Sequence, residues 1–172
     1  WGQAFRAYAT LLRDRHFMGL VLIGAFGIAS FFAYLANSSF VLIDHYGLTP
    51  RQYSVVFAAN AASFIGMSQL TGRLGQRFGM KPMVRLATHG YAGIMALLLL
   101  CFLLGVDALP VLLVLLFVGY GLLGLIIPTS AILALEDHGP IAGTASALMG
   151  TLQFATGAVV MAITGLFVDG TG

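Results

Sequence analysis

Polar side chains recur at helical spacing inside long apolar runs. Ser30, Tyr34, Asn37 and Ser38 stand at offsets of 0, 4, 7 and 8, which is one face of a helix. Phe57, Asn60, Phe64 and Met67 share a second face, with Tyr53 one turn further out. Ser146, Met149, Gly150, Gln153 and Gly157 form a third, and Tyr120 belongs to a further apolar run. Hydroxyl and amide groups donate or accept hydrogen bonds. Aromatic rings and thioethers give adaptable apolar contact. Together this is the chemistry of holding an amphipathic small molecule. Interhelical hydrogen bonding, worth about 0.6 kcal/mol per bond in lipid, accounts for the same spacing, and both readings stand at this point. The residues expected to face a ligand are Ser30, Tyr34, Asn37, Ser38, Phe57, Asn60, Phe64, Met67, Tyr120 and Gln153.

Bond-breaking chemistry has weaker support. Ser68, in Gly66-Met67-Ser68-Gln69, and His89 come nearest to a serine–histidine pair. Gly-x-Ser-x-Gly is missing and His89 has no orienting acid, so no catalytic residue is assigned and no enzyme is expected. Cys101 is the single cysteine, which excludes a disulfide framework and a cysteine-based zinc site. Metal-ligand clusters, phosphate-binding loops and dinucleotide fingerprints are also absent from the sequence, so neither metal nor cofactor is expected. His89 reads as structural or interfacial. Asp44 and His45 read as a solvated pair, Glu136 and Asp137 as water-facing or capping, and Cys101 as packed against lipid or leucine.

The elements that carry these residues follow from composition. The 172 residues are 59% hydrophobic and 8% charged, with net charge +2 and mean hydropathy +0.97. A soluble domain has about 25% charged residues, so much of this surface must meet lipid. The same figures exclude a disordered chain and a nucleic-acid partner. Five runs reach the roughly 20 residues that a membrane-spanning helix needs: 17–43, 54–74, 84–106, 109–135 and 141–168. Residues 1–16 are read as a cytoplasmic linker segment and 169–172 as a short external tail. The fold class is all-α, a polytopic membrane helical bundle with short connections. Thr49 is expected to cap a helix that opens on Pro50, and Pro128 to kink the fourth span. Ser146-x-x-x-Gly150 and the Gly119, Gly121, Gly124 group suit close helix approach. Seven of the eight Lys and Arg residues precede span one or surround the turn between spans two and three. That places the N-terminus in the cytoplasm. No Asp, Glu, Lys or Arg lies in the core of a run. The chain opens on Trp1 and is expected to be a piece of a longer protein.

The turn Gly72-Arg73-Leu74-Gly75-Gln76-Arg77-Phe78-Gly79-Met80-Lys81-Pro82 resembles the loop motif of the major facilitator superfamily, Gly-x-Leu-x-Asp-Arg-x-Gly-Arg-Arg/Lys. Gly72, Leu74, Arg77 and Gly79 match in place and Lys81 fits the basic tail, while Gln76 stands for the usual Asp and Met80 for an Arg. Tyr46-Gly47-Leu48-Thr49-Pro50 with Tyr53, Ser54, Phe57 and Asn60 is similar to the Bcr/CflA-type (bicyclomycin-resistance) drug efflux transporters. So are the opening segment from Tyr8 to Phe17, Ile127-Pro128, and Ala142-Gly143-Thr144-Ala145-Ser146 running on to Gln153. The resemblance implies half of a major facilitator fold, the equivalents of spans seven to eleven of twelve. It implies a proton-driven exporter of drugs or small metabolites in the inner membrane of a bacterium. The partners would be the lipid bilayer, a small amphipathic substrate, and protons moving through the missing N-terminal half. Gly72, Leu74, Gln76, Arg77, Gly79 and Lys81 would form a gating loop, with Gly72, Gly75 and Gly79 turning the backbone. Arg77 would bond helix C-terminal carbonyls or an acidic partner such as Glu136. A carrier of another substrate class, such as a sugar or metabolite, and a truncated non-transporting bundle are the alternatives.

Overall fold

The computed structural model describes Gly2–Val168, with side chains from Phe5 to Gly165; the expected tail at 169–172 lies outside the described residues. Six α-helices follow one another: α1 (Gly2–Arg13), α2 (Arg15–Ser39), α3 (Pro50–Phe78), α4 (Met80–Leu103), α5 (Leu109–Glu136) and α6 (Ala142–Val168). A π-helical stretch, Phe40–His45, prolongs α2, and a 3-10 turn, Gly139–Ile141, leads into α6. No strand occurs among the described residues.

The segment expected as a linker takes the form of a helix. α1 packs against α6, and its Leu11 is fully buried. Asp14 interrupts the helix and starts the next one. Its Oδ1 accepts from the backbone N–H groups of His16 at 2.8 Å and Phe17 at 3.2 Å, satisfying donors that the first turn of a helix leaves open.

Among the described residues, four stretches are long and apolar enough to cross a membrane: Arg15–His45, Met80–Leu103, Leu109–Glu136 and Gly139–Gly165. The second expected span is helical too, and longer than expected, at 29 residues. It falls short of the others in apolarity because Ser54, Asn60, Ser63, Ser68 and Gln69 interrupt it. Its start is as expected. Thr49 accepts from the Gln52 N–H at 3.3 Å while Gln52 Oε1 accepts from the Thr49 N–H at 2.9 Å, a reciprocal capping box with Pro50 just inside. α5 stays helical through Pro128.

Ser38–Thr129 forms one compact unit, and the chain on either side of it forms another. In the unit outside Ser38–Thr129, Phe17, Val21, Ala25, Ala134 and Ala145 are almost completely buried. α2 and α6 approach closely at Gly157, where a Cβ would lie 2.5 Å from the Phe32 ring. Ser146-x-x-x-Gly150 does not serve this contact: Ser146 is exposed and a Cβ at Gly150 would meet nothing within 4 Å. Among the described residues of α6, Ala145, Gln153 and Gly157 are the buried ones.

In the Ser38–Thr129 unit, α5 uses its glycines as expected. A Cβ on Gly124 would sit 2.2 Å from the Phe64 carbonyl oxygen of α3, and one on Gly121 would sit 2.9 Å from Ser63 Oγ. Gly119 faces α4, with Met95 Cε 3.1 Å from where its Cβ would be. Ser63 Oγ donates to the Phe117 carbonyl at 2.8 Å, which ties α3 to α5 at the same level. Leu42, Leu48 and Leu112 make a buried apolar cluster at the other end of the unit, backed by Tyr53, Val56 and Leu98.

Candidate functional site

The residues expected to face a ligand divide between the two units. Outside Ser38–Thr129 are Ser30, Tyr34, Asn37 and Gln153. The three on α2 are half-buried. Asn37 Nδ2 donates to the Ala33 carbonyl at 2.8 Å, one turn back on its own helix. Gln153 is 6% exposed. Its Nε2 is buried without a hydrogen-bond acceptor, which is uncommon for a side chain that can donate two bonds. Gly24 makes room for it: a Cβ there would fall 2.5 Å from Gln153 Nε2 and 3.0 Å from Ser130 Oγ. A buried polar group thus forms at Gly24, Ser130 and Gln153. Gln153 was expected from its place on the α6 stripe. Ser130 was missed, although the pair Thr129-Ser130 just after Pro128 is a polar break in an otherwise apolar run.

Within Ser38–Thr129, Ser38 and Tyr53 come together, their hydroxyls 3.0 Å apart. The Tyr53 and Phe57 rings meet at a tilt of 38°, 6.1 Å between centroids. Asn60 and Tyr120 are buried, at 3% and 5% exposure. Phe64 and Met67 are half-buried, and both meet the glycine face of α5, Phe64 through its backbone and Met67 through Cγ.

The loop motif folds differently from expectation. α3 continues to Phe78 and α4 begins at Met80, so the turn is Gly79 alone, at φ +83°. Gly79 needs its freedom there. Gly72 and Gly75 are helical instead. Gly72 has open space around it, while Gly75 accommodates Met80, whose sulfur would lie 2.5 Å from a Cβ. Leu74 is half-buried and Gln76, Arg77 and Lys81 are exposed. The Arg77 guanidinium lies 5.3 Å from the Phe78 ring centroid, a cation–π arrangement. No carboxylate of its own unit pairs with it.

Two polar clusters escaped sequence reasoning because their members are far apart in the chain. His138 is buried. Its Nε2 is 3.2 Å from Asp14 Oδ2, its Nδ1 is 3.0 Å from the Ala134 carbonyl oxygen, and Phe17 meets its ring edge-on at 5.2 Å. The backbone N–H of Phe17, and then that of His16 with the nearby His138, hold the Asp14 carboxyl below the usual aspartate range against an opposing desolvation. The second cluster replaces the expected Asp44–His45 pair. His45 Nε2 meets Asp107 Oδ2 at 2.6 Å and the Tyr46 hydroxyl donates to Asp107 Oδ1. These bonds lower Asp107. Burial, with the Asp107 contact added, pushes Tyr46 up to about 12. Among the described residues no group of His, Cys, Asp and Glu could hold a metal ion.

A family model described as Major Facilitator Superfamily matches residues 2–161. The chain is 32% identical over 165 residues to the "Uncharacterized MFS-type transporter YdgK" of Bacillus subtilis, covering 96% of this chain and 41% of that protein. It is 30% identical over 158 residues to a "Bicyclomycin resistance protein homolog" of Haemophilus influenzae, covering 90% of this chain and 39% of that protein. The chain therefore spans about 40% of the length of both relatives. No solved structure gives a significant match.

Proposed function

The chain belongs to the major facilitator superfamily, and we propose that it forms the C-terminal, substrate-facing half of a proton-coupled exporter of small amphipathic molecules. Its helices, four of them apolar and long enough to cross a bilayer, make it part of a multi-pass membrane protein. The observation that carries the proposal is Gln153. Its Nε2 has no acceptor within the chain, and a buried amide donor left unmet costs about 1–3 kcal/mol. In this reading the cargo accepts from it. The name of the Haemophilus influenzae relative, a bicyclomycin resistance homolog, supports a drug-like cargo. In the same unit as Gln153, Tyr34 supplies aromatic contact of the kind such a cargo needs.

In this reading α3 is the fifth span, its polar stripe turned to protein. The membrane is then a bacterial inner membrane, and the distribution of basic residues supports a cytoplasmic N-terminus. No carboxylate interrupts the cores of the spans, and proton antiport needs an ionisable group in the pathway. That group belongs to the part of the transporter outside this chain. Alternating access then works by rocking one half against the other around a midplane site, and the Gly79 turn with Arg77 is the gate on the cytoplasmic side.

The test is export by the full-length protein in a bacterium lacking its own efflux pumps. Gln153→Ala and Asn60→Ala are expected to reorder the exported compounds by about 2- to 10-fold at unchanged membrane levels. Identical export of every compound by both variants would sink the assignment. Export of sugars in place of amphipathic compounds would replace the cargo.

A further inference from the structure

Lys81, Arg85 and His89 fall at i, i+4 and i+8 on the first turns of α4, and with Pro82 and Leu86 they line a groove of about 400 Å³. All five are exposed, Leu86 at 76%. Within the Ser38–Thr129 unit the charge is uncompensated. The carboxylates of the Ser38–Thr129 unit are Asp44 and Asp107. Asp107 lies just beyond the far end of α4, a helix of 24 residues and so about 36 Å long, and it is already bonded by His45 and Tyr46. His89 Nδ1 is turned to the Arg85 carbonyl oxygen at 2.7 Å, which fixes the ring beside the two cations.

The groove sits at the end of a helix that is apolar and long enough to span a bilayer. Below His89 the same face continues as Ala92, Gly93 and Ala96, all exposed, and a Cβ on Gly93 would meet nothing within 4 Å. A strip of small residues therefore runs from the basic groove along the apolar part of the helix, flanked by Leu97 and Leu100. We propose that this groove is a site for one anionic glycerophospholipid. Its phosphodiester would lie among Lys81, Arg85 and His89, and an acyl chain would follow the Ala92–Ala96 strip. Charge complementarity selects the anionic headgroup. The exposed Leu86 in the groove and the apolar strip beneath select a lipid over a soluble phosphate. The proposal does not depend on what the protein transports.

The test is lipid binding to the purified full chain in detergent, read by native mass spectrometry and by thermal shift. The probes are dioleoyl phosphatidylglycerol, dioleoyl phosphatidylcholine and glycerol 3-phosphate. Phosphatidylglycerol is expected to give a discrete single adduct and a rise in apparent Tm, with the other two at least tenfold weaker. Each basic residue removed near an anionic headgroup weakens binding about 5-fold, so K81A/R85A is expected to lose about 25-fold. K81R/R85K, which keeps both charges, is expected to retain binding. R73A/R77A removes two cations from α3 and is expected to leave the adduct unchanged. Equal binding of glycerol 3-phosphate would overturn the lipid assignment. Equal binding of phosphatidylcholine would overturn the charge argument, and an equal loss in R73A/R77A would reduce the site to general surface charge.

Discussion

Asp107 is the residue on which one end of the Ser38–Thr129 unit is fastened, since His45 and Tyr46 both reach it from the end of α2. The signs of its linkage are opposite at the two ends of the pH scale. Asp107 is lowered from its usual value of 3.8, so its contribution is present above that pH and fades as pH falls below it. Tyr46 is raised to about 12. Its contribution is full below the usual tyrosine value of about 10 and is lost as pH rises through 12. Thermal unfolding in detergent is expected to show Tyr46→Phe less stable than the parent at pH 7, with the gap closing toward pH 12. A gap constant with pH would contradict the bond. At the other cluster, Asp14→Ala removes both the cap of α2 and the His138 partner, whereas Asp14→Asn keeps an oxygen for the cap. The alanine variant is expected to melt lower than the asparagine one, and equal melting would leave the cap without a role. Neither cluster was legible in the sequence, because 62 residues separate His45 from Asp107 and no periodicity connects them. The burial of Gln153 and Asn60 was legible from their helical spacing inside apolar runs, although the same spacing placed Ser146, which is exposed, on the stripe of Gln153.

Helix contacts depend on which glycines face a neighbour, and composition cannot say which. The Gly119–Gly121–Gly124 group was read correctly as a packing face because the residues are dense. Ser146-x-x-x-Gly150 was not: Gln153 and Gly157 lie on the same face and are buried, but Ser146 is exposed and Gly150 has open space, so the face makes its close contact only further along α6. The difference is measurable. Gly124→Ala drives a Cβ into a backbone carbonyl oxygen 2.2 Å away, which cannot rotate aside, and is expected to cost about 1–3 kcal/mol. Gly150→Ala meets open space and is expected to stay within about 0.5 kcal/mol of the parent. Thermal unfolding of both variants in one detergent decides this, and equal losses would remove the glycine face as the cause. Helix ends followed the same logic. The Thr49-Pro50 start was legible because capping residues are local signals. The extension of α3 to Phe78 was not, because three glycines in the loop motif looked like a turn while Gly79 alone supplies it.

At the scale of the molecule, the family and the helical membrane architecture were legible from hydropathy and one degenerate motif. The apolarity of α3 was overestimated, because length and the position between two short turns outweighed its polar stripe. The orientation rests on basic residues at one side and has its own test. Cys101→Ser with Gln76→Cys, in a full-length background cleared of other cysteines, places a single thiol at an exposed position beside the Gly79 turn. In intact cells that thiol is expected to resist an impermeant reagent added from outside, and ready labelling would reverse the topology. The full-length protein is expected to export amphipathic molecules against protons, with this chain holding part of their binding site. Proteoliposomes of that protein, with a pH gradient imposed and the uptake of amphipathic test compounds followed with time, test it most directly. The gradient is expected to drive accumulation of at least one compound, and Gln153→Ala to shift its KM by about 2- to 10-fold. A gradient that drives none of them, or a KM that Gln153→Ala leaves unmoved for every compound carried, would contradict the claim.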